Sequence, residues 1–187
     1  MANFAPAYLK LSQAEFGNKP EQFLHKNKNE DGYTIGGIYQ VANPDAFDWE
    51  FIEKVLAVCE FDLKRASVML YADRQTKEAV FTFFKKEYWD RALLDEVMSQ
   101  VQADNIFLSG VHIGMRNAVK LAQKVAQTQQ DGIIGQYTLK ALNNGFDDNY
   151  FKMQFDKLEL ENYDNLIERN PHLSWARQGF INRVYAV

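Results

Sequence analysis

Glu15 stands where a helix would place a core residue. Phe4, Tyr8 and Leu11 follow at i, i+4 and i+7, one apolar stripe at 3.6 residues per turn, and the next position on that stripe is Glu15. A carboxyl set against an apolar surface is disfavoured in its ionised form, which raises its pKa toward the working pH. A carboxylic acid that keeps its proton near neutrality can protonate a leaving oxygen, the work of the general acid in glycoside hydrolysis. The same spacing also admits a plainer role, a helix-end glutamate turned to water or paired with Lys19.

Other constellations are narrower. In "NKNEDG", Asn27, Asn29 and Asp31 alternate before Gly32 as in an EF-hand loop, but its twelfth position is Ile38 instead of a bidentate carboxylate, so no calcium loop is expected. His25, His112 and His172 show no i, i+4 pairing, and the single cysteine, Cys59, leaves no zinc spacing; neither a metal nor a cofactor is expected. No G-x-S-x-G, Walker-type or G-x-G-x-x-G run occurs, which removes the motifs of serine hydrolysis and nucleotide binding. Tyr33, Tyr39, Tyr88 and Trp89 lie beside polar or glycine-containing stretches, where rings can stack on sugar faces while neighbouring amides bind hydroxyls. Taken alone, each of these rings is more often a core residue than a ligand platform.

The elements that must hold these residues are mostly helical. The pattern predicts a first helix over 4–16, stopped by Gly17 with Pro20 following. From there to Pro44 the chain is rich in Asn, Lys and Gly, a long connection of the kind that is usually functional or disordered. Within it, "YTIGGIYQV" predicts a short strand or hairpin. Helical spacing resumes over about 48–58, capped by Asp45 or Asp48, then 61–72 and 75–86. One long helix is expected over 104–127, then a glycine turn and short helix in "QQDGIIGQYTLKALNNG", and a last long helix over 147–168. The fold class expected is mainly α, with a small β-hairpin near residues 30–42.

Composition bounds the function. A chain of 187 residues with 47% hydrophobic and 14% aromatic residues is long and apolar enough to build a substantial core. Net charge of −4 with dispersed Lys and Arg disfavours nucleic acid as a partner. Cys59, in the apolar run "VLAVCEFDL", reads as a small core residue, and one cysteine cannot form an intramolecular disulfide. The amino terminus lacks the pattern of a cleaved signal peptide and no 18-residue apolar segment occurs. The expectation is synthesis in the cytoplasm without membrane insertion, with any action on the cell wall or periplasm following release or export.

Taken in order, these motifs resemble the family-108 glycoside hydrolases, bacterial and phage N-acetylmuramidases whose amino-terminal pattern is approximately E-G-G-Y…D-P-G-G-x-T-x-x-G-I. The matching residues are Glu15 and Gly17, then Gly32, Thr34, Gly37 and Ile38. Further on, "KKEYWDR" is similar to the family's Tyr-Trp-Asp element through Tyr88, Trp89 and Asp90. "SGVHIGMRNAVKLAQKV" and "DGIIGQYTLKALN" resemble the carboxyl-terminal peptidoglycan-binding-like segment, and "GFINRV" the closing run. The chain departs from the pattern at Phe16, in a loop about five residues longer than usual, at Asn29 where an Asp is common, and at His112 where an Asn is common.

The resemblance implies a lysozyme-like helical domain with residues 1–100 as the catalytic part and 101–187 as a helical peptidoglycan-binding-like part packed on it as one compact unit. It implies cleavage of the β-1,4 bond between N-acetylmuramic acid and N-acetylglucosamine in peptidoglycan glycan strands, with Glu15 as general acid. Thr34, Tyr39, Asp31, Tyr88, Trp89 and His112 are the expected substrate-binding residues, and Asp31 and Glu30 the nearest candidates for a second carboxylate. The alternative it leaves is a catalytically weakened peptidoglycan-binding module of a phage or secretion apparatus. For "DGIIGQYTLKALN", direct glycan contact and a purely structural turn both remain open.

Overall fold

The computed structural model describes residues 1–17, 19–28 and 30–185. It forms two compact units, Leu11–Lys85 and a flanking unit made of Met1–Lys10 and Lys86–Val187. As expected from the sequence, the fold is mainly α with a small antiparallel sheet.

Helix α1 (Phe4–Phe16) begins where Asn3 Oδ1 accepts the Ala5 amide at 2.9 Å, and Pro6 falls in the first turn, where its missing N–H is harmless. It ends at Gly17, which takes φ +61° and donates its amide to Gln13 O at 3.1 Å, a left-handed stop that a residue with Cβ adopts reluctantly. Phe4, Ala7 and Leu11 are buried along its inner stripe.

In Leu11–Lys85, α1 is followed by a single 3₁₀ turn, Pro20–Gln22, and three short strands: β1 (Leu24–His25), β2 (Thr34–Ile35) and β3 (Ile38–Tyr39). They pair antiparallel in the order β1-β2-β3, with Leu24 opposite Ile35, His25 opposite Thr34, Ile35 opposite Ile38 and Thr34 opposite Tyr39. The hairpin is where the sequence places it. β1 is an addition to that expectation, since two residues are too few to show a period. It is held by Ser67, whose hydroxyl accepts the Leu24 amide at 2.8 Å and donates to Pro20 O at 2.5 Å. Strand alternation sorts the faces: Leu24, Ile35 and Ile38 are buried on one, and His25, Thr34 and Tyr39 share the other.

Helices α2 (Trp49–Val58), α3 (Leu63–Ala72) and α4 (Arg74–Phe84) complete this unit. Asp48, Asp62 and Asp73 cap them by accepting amides of the first turn, the Asp73 bond to Thr76 N being 2.7 Å. The rings of Phe16, Phe23 and Tyr71 pack edge-to-face, with centroids 5.4 Å apart for Phe16–Phe23 and 5.5 Å for Phe23–Tyr71. Cys59 is buried, its Sγ 3.9 Å from Met69 Sδ, so it serves as a core residue.

In the flanking unit, a π-helical turn (Lys85–Asp90) carries Trp89 into the core against Phe4 and Phe107, at centroid distances of 5.5 and 5.7 Å. The single helix expected over 104–127 is two: α5 (Gln100–Ile113) and α6 (Met115–Val125). Gly114 at φ +86° breaks them, a conformation incompatible with continuing an α-helix. The chain can then fold back so closely that a Cβ at Gly110 would lie 2.5 Å from Met115 Cε. Helices α7 (Gln136–Gly145), α8 (Asp148–Arg169) and α9 (Arg177–Val184) follow, with α8 packed on both α5 and α6. Among the described residues no helix is long and apolar enough to cross a membrane.

Candidate functional site

Glu15 lies in the last turn of α1, half-buried. What it rests on is the tip of the β2–β3 hairpin. Gly36 and Gly37 form the two-residue turn with φ +54° and +91°, the left-handed pair that suits the right-handed twist of a tight hairpin. This tip is packed inward: Gly36 is buried, and its amide donates to Phe23 O at 2.7 Å. A Cβ on Gly36 would lie 2.8 Å from Phe23 Cε2 and from Val80 Cγ1. A Cβ on Gly37 would lie 3.1 Å from Glu15 Cγ and 3.2 Å from Glu15 Oε2. The carboxyl therefore lies directly against the backbone of the turn.

The other expected residues of this unit sit on the hairpin and the loop before it. Thr34 is buried and Tyr39 half-buried. They form the pair next to the one that flanks the turn, the kind whose side chains stand closest across an antiparallel ladder. Tyr39 O accepts the Asn43 side-chain amide at 3.0 Å, which ties the end of β3 to the following turn. Asp31 is exposed. Glu30 is half-buried, and its Oε2 is closed off from solvent with no hydrogen-bond partner among the described residues. Asn29 lies outside the described residues.

The sheet adds His25, which sequence reasoning dismissed after finding no metal-ligand spacing. Register places it directly across from Thr34, so His25, Thr34 and Tyr39 form one row across three strands. His25 Nδ1 lies 3.2 Å from Gln22 O, a carbonyl that can only accept, so in this contact Nδ1 is the donor. The only cue in the sequence is that His25 precedes the polar loop; pairing between β1 and β2 is not legible there.

Tyr88, Trp89 and His112 belong to the flanking unit. Trp89 is fully buried, its indole N–H donates to Asp95 Oδ1 at 2.6 Å, and Phe4 and Phe107 pack on its ring, so it is a core residue with no face open to a sugar. Tyr88 is half-buried in the π turn. His112, half-buried near the end of α5, has its pKa pushed down to about 4 by burial and then by the Arg183 charge, so its imidazole is neutral at physiological pH. No cluster of three or more metal-ligating side chains exists among the described residues.

The "DGIIGQYT" segment is organised by Gln123 of α6, which is buried. Its Nε2 donates to Asp131 Oδ1 at 2.7 Å, Ile133 O at 2.9 Å and Thr138 Oγ1 at 3.2 Å, and its Oε1 accepts the Gly132 amide at 2.9 Å. The Gln123 bond first, and then the Ile133 amide, which donates to Asp131 Oδ1 at 2.9 Å, hold the Asp131 carboxyl below its usual range. Gly132 takes φ +79°, and a Cβ there would lie 2.5 Å from Arg116 Cγ. The segment is thus a tight turn locked to α6, with Ile133 and Tyr137 facing solvent.

No family model matches the chain, and no curated protein does either. Among solved structures it is similar to Brucella abortus SagA, with a TM-score of 0.60 at 20% identity over 98% of this chain and 94% of that one. Along nearly its whole length, the chain shares the fold of Brucella abortus SagA.

Proposed function

We propose that this protein is a lysozyme-like peptidoglycan hydrolase that cleaves the β-1,4 bond between N-acetylmuramic acid and N-acetylglucosamine, with Glu15 as general acid. The observation that carries the reading is the seat of Glu15: a half-buried carboxyl at a helix end, pressed on a hairpin whose next residues form a polar row. A partly desolvated carboxyl beside hydrogen-bonding groups is the arrangement that protonates a glycosidic oxygen. In this reading Thr34 and Tyr39 bind the acetamido and hydroxyl groups of the sugar, and Asp31 or Glu30 supplies the second carboxylate. Residues 1–100 carry the chemistry, and 101–187 hold the wall.

Glu15→Gln keeps the shape of the side chain and removes its proton. The expected outcome is loss of reducing-end release from purified sacculi with an unchanged unfolding temperature and circular dichroism spectrum. Full activity in that variant would defeat the reading. Mass spectrometry of the digested muropeptides should show N-acetylmuramic acid at the new reducing end.

A second reading, a peptidoglycan-binding module with weakened catalysis, draws on Phe16. The family pattern has glycine at this position, whereas here the ring is committed to the Phe23 and Tyr71 cluster. Sedimentation with sacculi without release of reducing ends would select it.

A further inference from the structure

We infer that Gly37 is a positioning residue for Glu15, and that its missing Cβ is what lets the carboxyl lie against the hairpin tip. The inference rests on the muramidase reading for its effect on activity, and on geometry alone for its effect on Glu15.

Two glycines in a tight hairpin turn are ordinarily explained by backbone conformation, since both positions take positive φ. That account does not require glycine at both. Asparagine and aspartate tolerate positive φ, and Asn-Gly and Asp-Gly are common in such turns. Contact explains the rest. At Gly36 an added Cβ would lie 2.8 Å from atoms of Phe23 and Val80, both core residues, so this glycine seats the turn in the interior. At Gly37 the three nearest atoms are all from Glu15: Cγ at 3.1 Å, Oε2 at 3.2 Å and Cδ at 3.4 Å. An added methyl would therefore meet Glu15 first, and the carboxyl would have to give by a few tenths of an ångström.

The turn cannot absorb this displacement by swinging away. The Gly36 amide is bonded to Phe23 O at 2.7 Å, and Ile35 and Ile38, on either side of the turn, are both buried. The backbone of α1 cannot absorb it either, because Leu11, Ser12 and Phe16 are buried around Glu15. The displacement therefore falls on the Glu15 side chain itself. Gly37 thus fixes the distance and direction of the acid without touching substrate.

The test uses two full-length variants, Gly37→Ala and Gly37→Asn. Both add the same Cβ, but Asn tolerates positive φ better than Ala, so they share the contact and differ in backbone strain. Three quantities are read: kcat per folded molecule and KM on soluble glycan-chain fragments, and the ¹³C carboxyl resonance of Glu15, assigned by its absence in Glu15→Gln. The expected result is a fall in kcat of roughly tenfold in both variants with KM within about twofold, because sub-ångström misplacement of a catalytic group acts on the chemical step. The Glu15 resonance should move in both. The inference is overturned by unchanged kcat and an unchanged Glu15 resonance in either folded variant, or by a kcat loss that follows unfolding temperature and spares the Asn variant. If Glu15→Gln proves fully active, the muramidase reading falls by itself, and the carboxyl resonance still decides whether Gly37 positions Glu15.

Discussion

Glu159 and His112 have pKa values shifted in opposite senses. Glu159 of α8 is buried, and desolvation raises its pKa to about 7; Ser109, Tyr163 and Lys152 work against the rise, and Asp156 one turn earlier adds to it. Tyr163 OH donates to Glu159 Oε1 at 3.4 Å, Lys152 pairs with Asp156 at 3.2 Å, and Ser109 of α5 faces the carboxyl without completing a hydrogen bond of ordinary geometry. Arg183 of α9 acts on both Tyr163 and His112. For Glu159 the folded state binds its proton more tightly than the unfolded chain, so the stability it contributes is complete below about pH 4.5 and lost as pH rises through about 7. For His112 the folded state disfavours the proton, so stability is lost as pH falls from about 6.5 through about 4. Over the shared window the two slopes oppose each other. Glu159→Gln should unmask the histidine, giving stability that rises with pH between about 4 and 6.5. It should also exceed wild type by about 3 kcal/mol at pH 8, with little difference at pH 4.5. Urea denaturation at those pH values measures both, and equal stabilities at pH 8 would contradict the assignment.

At the same scale, the sequence exposes Glu15 well and its surroundings poorly. The i, i+4, i+7 stripe picks out the position, because helical spacing is a local property. The Gly37 contact and the His25–Thr34–Tyr39 row are made by pairing between strands, and no local period encodes that. Trp89 shows the reverse limit. A Tyr-Trp pair beside charged residues fits a sugar platform, but the π turn rotates the indole inward, where Asp95 satisfies its N–H and leaves none of the ring to a ligand.

Among elements, helix existence is legible and helix continuity is not. The cap at Asp48, one of two offered, and the stop at Gly17 follow from residue type, and α1 to α4 fall within a few residues of their expected ranges. The break between α5 and α6 rests on Gly114 alone, and a lone glycine inside a periodic run is often carried within the helix. The turn after α6 depends on Gln123, whose buried amide is shared among Asp131, Gly132, Ile133 and Thr138. Gln123→Ala would leave those groups without their common partner. A destabilisation of about 2–3 kcal/mol is expected from chemical denaturation, together with faster amide exchange at Gly132. A loss below about 0.5 kcal/mol would show that water replaces the amide without cost.

For the molecule as a whole, under the proposed function, charge bears on how it would meet the wall polymer. With 21 basic and 25 acidic residues it has no excess of positive charge to draw it toward an anionic wall. Affinity for sacculi would then rest on stacking and hydrogen bonds, which salt barely screens. Raising NaCl from about 0.05 to 0.5 M should change the sedimented fraction by less than about twofold. A steep loss would instead reveal a local basic surface at work.

The flanking unit is assembled from both ends of the chain. Ala2 N donates to Val97 O at 2.7 Å, Asn3 N to Gln100 Oε1 at 2.7 Å, and Phe4 packs on Trp89 and Phe107. During synthesis on the ribosome, residues 11–85 emerge complete and can bury their own core early. The contacts of Ala2, Asn3 and Phe4, although these residues are made before them, wait until the chain through Phe107 is released. Closing so long a loop is entropically mild, but it fixes an order: these contacts form only after residues 11–85 have been made. Removal of residues 2–4 would therefore be felt chiefly by the π turn and α5, encoded on the far side of residues 11–85.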